Sequence, residues 1–300
     1  MPLGFSEEEL FEHGHTACAG CGSAIAMRFA LKAAGKNTIV SQATGCMEVT
    51  TTGYPRTAWK VPYVHCAFET AASVASGIHR ALKASGKRDS VNILAIGGDG
   101  GTFDIGLQAL SGAAERGEKF TYICNANGGY MNTGVQRSGD TPKYASTTTT
   151  PYGTKIHGKI QYKKNMPFIM AAHGITYVAT ANIAFLKDYV EKIQKALATD
   201  GVSYVEVFCP CVPGWKYLPE NTIEIAKLAV QTRFTPLFEI NKGILTITND
   251  VPEPKQLKDF LQTQGRFKSM TDAEIEEVQK HVNDEWQKLK DLEKAKVRIF

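Results

Sequence analysis

Residues 91–104 read VNILAIGGDGGTFD: an apolar run, then Gly98-Asp99-Gly100-Gly101, then a helical pattern beginning near Asp104. Glycines at a strand-to-helix junction let the backbone approach an anion, and the helix start supplies amide donors and a favourable dipole. An aspartate among them repels a phosphate unless a divalent cation sits between the two. Magnesium suits that place, because it prefers carboxylate, carbonyl and phosphate oxygens. The next apolar run, FTYICN at 120–125, leads into Asn125-Ala126-Asn127. If the two runs are adjacent parallel strands, Asn127, 28 residues after Asp99, supplies a second oxygen ligand.

Outward from this pair the same rhythm repeats. Strands are expected at 38–42, 91–97, 120–125, 175–179 and 202–208, each short and rich in β-branched or aromatic residues. Helical stretches lie between them at 23–34, 69–84, 105–116 and 183–198; the last sets Phe185, Tyr189, Ile193 and Leu197 four residues apart. Near-continuous apolar strands alternating with helices imply an α/β fold, a doubly wound, mainly parallel sheet with helices on both faces. Residues 126–165 break the rhythm with many turn formers, and a loop that long inside a compact domain is functional or disordered. From Lys255 to Phe300, 19 of 46 residues are charged, which reads as an exposed helical tail of mixed sign. The expected division is a ligand-binding domain at 1–250 and a C-terminal helical, partner-docking arm at 251–300.

Several classes are excluded. No stretch approaches the roughly 18 apolar residues of a membrane span. The start, MPLGFSEEELFEHGH, is too acidic and polar for a secretory signal, so a cytoplasmic protein is expected. A net charge of +4 without clustering argues against nucleic acid as the partner.

Seven cysteines in such a chain suggest thiolate ligands rather than disulfides. Cys18-Ala-Gly-Cys21 precedes the first helix, Cys46 follows the first strand, and Cys209-Pro-Cys211 follows the last core strand. A doubly wound sheet gathers such loops at one edge. A Cys₄ set suits zinc or an iron–sulfur cluster, and one CxxC joined by two distant cysteines favours the cluster. Cys211, further out of the strand than Cys209, is the preferred fourth ligand. Cys66 and Cys124 read as buried core thiols; His13 and His15 are weaker ligand candidates.

A GDG sequence followed 25–30 residues later by Asn resembles the thiamine diphosphate signature. With the cysteines, the chain resembles the thiamine-binding β subunits of the 2-oxoacid:ferredoxin oxidoreductases, above all the pyruvate-oxidising ones. The likeness runs from about His15 to Phe267 through GHTACAGCG, GCMEVTTTGYP, TAWKVPYVHCAFETAASVASG, GDGGTFDIGLQALSGA, YMNTGVQRS, MAAHGITYVATA and CPCVPGWKY, in that order.

The resemblance implies coenzyme A-dependent oxidative decarboxylation of pyruvate, with electrons leaving through a [4Fe–4S] cluster to ferredoxin. Oxalate, phenylglyoxylate and branched-chain oxo acids are the alternative substrates, and a non-redox thiamine-dependent decarboxylase is the alternative chemistry. It implies Cys18, Cys21, Cys46 and Cys211 on the cluster, and Mg²⁺ on Asp99, Asn127 and the Gly129 carbonyl. Further cofactor contacts fall on Ser23, Cys46, Gly98, Asp99, Gly100 and Gly101, and on Asn127, Gly128, Gly129, Tyr130, Met131 and Asn132. Asn132, with Thr133 beside it, is placed against the oxo acid. Gly128 stands where relatives acting on pyruvate carry an acidic residue, which implies a larger or more neutral pocket. The glutamate that serves the aminopyrimidine resembles a contribution of a separate α subunit, and the missing ferredoxin-type clusters imply γ and δ subunits or fusions of them. The result is an anaerobic hetero-oligomer.

Overall fold

The computed structural model describes residues 6–300; the first five residues of the acidic start lie outside the described residues. The strands are β1 (Thr38–Ala43), β2 (Tyr63–Cys66), β3 (Asn92–Gly98), β4 (Phe120–Ala126), β5 (Tyr177–Asn182), β6 (Val202–Phe208), β7 (Leu237–Asn241) and β8 (Ile244–Asn249). The helices are α1 (Gly22–Ala34), α2 (Cys46–Thr51), α3 (Ala71–Ala84), α4 (Leu107–Glu115), α5 (Met166–Ala171), α6 (Leu186–Leu197), α7 (Val212–Trp215), α8 (Thr222–Gln231), α9 (Leu257–Leu261) and α10 (Asp272–Ala295). One sheet runs β2-β1-β3-β4-β6-β5-β7-β8. Its first six strands are parallel, whereas β7 and β8 add an antiparallel hairpin at one edge.

Strands β4 and β6 are buried along their whole length, which explains their unbroken apolar sequence. Helices α1 and α6 cover one face, with Met27, Leu31, Tyr189 and Ile193 against Val40, Leu94, Ile123 and Val205. Helices α3, α4, α5 and α10 cover the other, with Ala75, Leu110, Met170 and Trp286 against Ile93, Tyr122, Val178 and Tyr204. This is the doubly wound architecture expected. Because the chain steps from β1 outward to β2 and then back past it to β3, the sheet reverses at β1/β3, and a crevice opens beyond their C-terminal ends.

Some elements differ from the sequence expectation. The short β2 and the β7–β8 hairpin were not expected; β2 is only four residues long and its middle two residues are exposed. Helix α4 begins later than expected, after a π-helical turn at Gly100–Ile105. That wide turn depends on Gly106, where a Cβ would stand 2.2 Å from the Gly101 carbonyl oxygen. The charged tail is helical, but not simply solvated. Val278, Val282, Trp286 and Leu289 form a buried stripe at helical spacing. A capping box between Thr271 and Glu274 starts α10. The same Glu274 accepts from Tyr152 Oη at 3.0 Å and pairs with His157 Nδ1 at 2.6 Å, and Glu277 accepts from Tyr144 Oη at 2.5 Å. The long irregular segment is thereby tied to the last helix.

Candidate active site at the strand ends

A cavity of about 440 Å³ lies beyond the ends of β1, β3 and β4, at the switch point of the sheet. The register pairs Gly98 with Asn125, so Asp99 and Asn127 leave neighbouring parallel strands together. Of the residues singled out from sequence, Ser23, Cys46, Gly98, Asp99, Gly100, Asn127, Gly129, Tyr130, Met131, Asn132 and Thr133 all line this cavity. Asn132 and Thr133 stand exposed at its rim. Gly101 and Gly128 lie off its wall: a Cβ on Gly101 would point at the Phe68 carbonyl, and one on Gly128 at the Arg266 guanidinium. A side chain at Gly128 would therefore meet Arg266 and not enter the cavity.

Asp99 is fully buried. Burial, and then the Asp140 carboxylate nearby, push its carboxyl well above the usual aspartate range. The Asn127 side-chain amide lies between Asp99 Oδ1 and the Gly129 carbonyl oxygen, and with its NH₂ turned to them it donates to both, at 2.8 and 3.0 Å. Octahedral magnesium, with bonds of 2.0–2.1 Å, sets adjacent ligand oxygens about 2.9 Å apart, so the spacing of the three groups fits that ion once the Asn127 amide presents its oxygen.

Behind these three groups lies a shell that, Gly128 aside, sequence reading had no signal for. Ser138 Oγ–H donates to Asp99 Oδ2. The Gly128 N–H donates to Asp140 Oδ2 at 3.1 Å, Thr141 Oγ1–H to the Gly128 carbonyl at 2.8 Å, and Trp215 Nε1–H to the Asn127 carbonyl at 2.7 Å. Lys159, 1% exposed, donates to the carbonyls of Ser138, Gly139 and Thr141, and burial lowers it to about 8. Every one of these residues except Trp215 comes from the irregular 126–165 segment. Their offsets follow no period, so only folding reveals that they meet Asp99.

The cysteine loops gather beside the same cavity. Thr16 N–H donates to the Thr50 carbonyl at 2.9 Å and Gly22 N–H to the Pro210 carbonyl at 3.3 Å, so the CxxC loop lies between α2 and the segment before α7. Cys18 is exposed, Cys21, Cys46 and Cys211 are partly buried, and all seven cysteines are free thiols. Burial raises the Cys46 thiol to about 11 and the Cys211 thiol to about 12, and in both Cys21 and Cys18 raise it further. Among the described residues, no three His, Cys, Asp or Glu side chains converge tightly enough to share one metal ion. Cys209 is fully buried at the end of β6 with its Sγ on the Val207 carbonyl at 3.3 Å. Cys66 and Cys124 are buried core thiols, as read from sequence. The His13 side chain is fully exposed beside Glu12, and the His15 ring lies tilted against Phe11, centroids 5.3 Å apart.

A cofactor-sized crevice at the switch point, with an Asp–Asn pair on adjacent strand ends, defines the class: residues 43–207 match the family of thiamine pyrophosphate enzymes, C-terminal TPP binding domain. The chain is 51% identical to pyruvate synthase subunit PorB of Methanocaldococcus jannaschii, covering 93% of this chain and 96% of that one. It is 46% identical to ketoisovalerate oxidoreductase subunit VorB of Pyrococcus furiosus, covering 95% and 94%. Its fold matches a solved 2-oxoglutarate:ferredoxin oxidoreductase from Magnetococcus marinus with a TM-score of 0.59 at 26% identity, over 70% of this chain and 69% of that one. The chain belongs to the thiamine diphosphate-binding β subunits of the 2-oxoacid:ferredoxin oxidoreductases, in the family that includes the pyruvate synthase subunits PorB.

Proposed function

We propose that this chain is the thiamine diphosphate-binding subunit of a pyruvate:ferredoxin oxidoreductase, an enzyme of several subunits that oxidatively decarboxylates pyruvate with coenzyme A to acetyl-CoA and CO₂. The carrying observation is the convergence of the Asp99 carboxylate, the Asn127 side-chain amide and the Gly129 carbonyl at the wall of a cavity that also holds Cys46. Asp99, Asn127 and the Gly129 carbonyl would hold Mg²⁺ against the diphosphate, and Gly98 and Gly100 leave room for it. Thiamine diphosphate would supply the electron sink for decarboxylation, and Cys18, Cys21, Cys46 and Cys211 would hold a [4Fe–4S] cluster able to accept electrons singly. Ser138 keeps the Asp99 carboxylate directed at the cation, and Trp215, Asp140 and Thr141 hold the Asn127–Gly129 turn. Asn132 and Thr133, at the cavity rim, orient the oxo acid and shield it from water. Cys46 and Met131 line the cavity, and a Cβ on Gly214 would touch both Met131 and Cys211 Sγ; this is a short path from cofactor to thiolates.

The reading extends to the domain plan and partners. Residues 1–250 carry both cofactors and 251–300 a helical arm that docks partners. An α subunit supplies the pyrimidine-side glutamate, γ and δ subunits carry electrons onward to ferredoxin, and the assembly works in an anaerobic cytoplasm. No helix among the described residues is long and apolar enough to cross a membrane. The test is anaerobic co-expression with the partner chains, followed by iron and zinc analysis and a visible spectrum. A brown, dithionite-bleached protein with roughly four irons per chain beyond those of the partners supports the reading, as does reduction by pyruvate and coenzyme A in preference to 3-methyl-2-oxobutanoate. A colourless zinc protein refutes it, and the Cys211→Ser variant is expected to lose iron that Cys209→Ser retains.

A further inference from the structure

Arg266 is 3% exposed, and neither terminal nitrogen of its guanidinium has a hydrogen-bond partner among the described residues. Its Nε donates to Gln264 Oε1 at 2.9 Å, and its plane lies 3.8 Å over the Trp215 ring. A buried cation is costly, so a fold that keeps one ordinarily sets anions near it; here the Asp140 carboxylate acts on Arg266 first and the Cys211 thiol next. The neighbouring carboxylates are already engaged. Asp140 takes the Gly128 N–H and pairs with Lys163 at 3.2 Å, and Asp99 takes Ser138. On the other side, Trp215 belongs to the short helix that follows Cys211, and its N–H donates to the Cys211 carbonyl at 2.9 Å. A cluster held by four thiolates is a net anion, and it becomes more negative on reduction.

We propose that Arg266 is the buried counter-charge of this chain's iron–sulfur cluster, a positioning residue that raises the cluster's reduction potential by favouring the reduced form. The inference rests on the cluster assignment of the proposed function. Burial lowers the guanidinium to about 9, which leaves it charged at neutral pH. No partner chain is needed for the argument, since the residue is enclosed by its own subunit.

Gly128 offers an independent handle, because a Cβ there would stand 2.7 Å from Arg266 Nη1. Its φ of +76° is a conformation that asparagine and aspartate tolerate best after glycine. Three variants of the complete complex, Arg266→Met, Gly128→Asp and Gly128→Asn, are titrated anaerobically with the cluster's EPR signal as readout, the signal being assigned by its loss in Cys211→Ser. Arg266→Met is expected to make the cluster harder to reduce by roughly tenfold in the equilibrium constant, about 59 mV for one electron. Gly128→Asp shifts it the same way by neutralising the guanidinium. Gly128→Asn, equal in shape but uncharged, leaves it near the parent value. Unchanged potentials in both Arg266→Met and Gly128→Asp overturn the proposal, and so do equal shifts in Gly128→Asp and Gly128→Asn, since shape alone would then account for them. A parent complex whose chain holds no iron is read directly from metal content and overturns the cluster assignment, taking this proposal with it.

Discussion

Replacing Ser138 with alanine removes one hydroxyl from behind the proposed cation site and adds nothing. Ser138 Oγ–H donates to Asp99 Oδ2, and both residues are buried, so water cannot take its place. A hydrogen bond to a charged group contributes about 1.5–3 kcal/mol. At about 1.4 kcal/mol per decade this is roughly 10- to 100-fold in the affinity for a cation that needs Asp99 ionised. The direction follows from the site: burial and Asp140 already disfavour the carboxylate, and losing the serine proton disfavours it further. The assay is a Mg²⁺ titration of the assembled complex at saturating thiamine diphosphate, read by cofactor-dependent fluorescence quenching and by activity. The variant's curve should move to higher Mg²⁺ while its maximum is recovered at saturation. Superimposable curves for variant and parent, with thermal melting showing both folded, would refute the assignment of Asp99 to the cation and of Ser138 to its support.

Two further outcomes are expected. Gly100→Ala would bring a Cβ within 2.6–2.8 Å of three Tyr130 ring atoms; overpacking of this kind costs about 1–3 kcal/mol. It should weaken thiamine diphosphate binding in a titration, and adding Tyr130→Leu should restore part of the loss. At the N-terminal segment, hydrogen bonds from Arg28, with Lys32 beside it, hold the Glu9 carboxyl down to about 2. A depressed folded value stabilises above the ordinary glutamate range and ceases to do so as pH falls toward 2. Glu9→Gln should therefore melt below the parent at pH 7, with the gap closing between about pH 5 and pH 2 in thermal scans.

The residues proposed to carry the chemistry could be singled out because each sits at a place the local pattern marks. Asp99 lies in a glycine-rich strand-to-helix junction, Asn127 just past the next apolar run, and Cys18, Cys21, Cys46 and Cys211 at element boundaries. Periodicity likewise marks α1, α3, α6 and the central strands, since burial on two faces requires continuous apolar residues there. The edge elements were not legible: β2 is four residues long, and β8 alternates with polar residues at the border of the sheet, where one side needs no apolar cover. Nor was the support of the site. Ser138, Asp140, Thr141 and Lys159 come from a segment without period, positioned by the Lys159 ammonium on three carbonyls and by Glu274 and Glu277 of the last helix. Arg266 lies 138 residues from Gly128 in sequence, yet a Cβ there would all but touch it. The linear chain thus determined which residues could bind the cofactors, because strand, turn and helix preferences act over a few neighbours. Tertiary structure alone decided which groups orient and charge that site, because buried hydrogen bonds and counter-ions depend on distance in space.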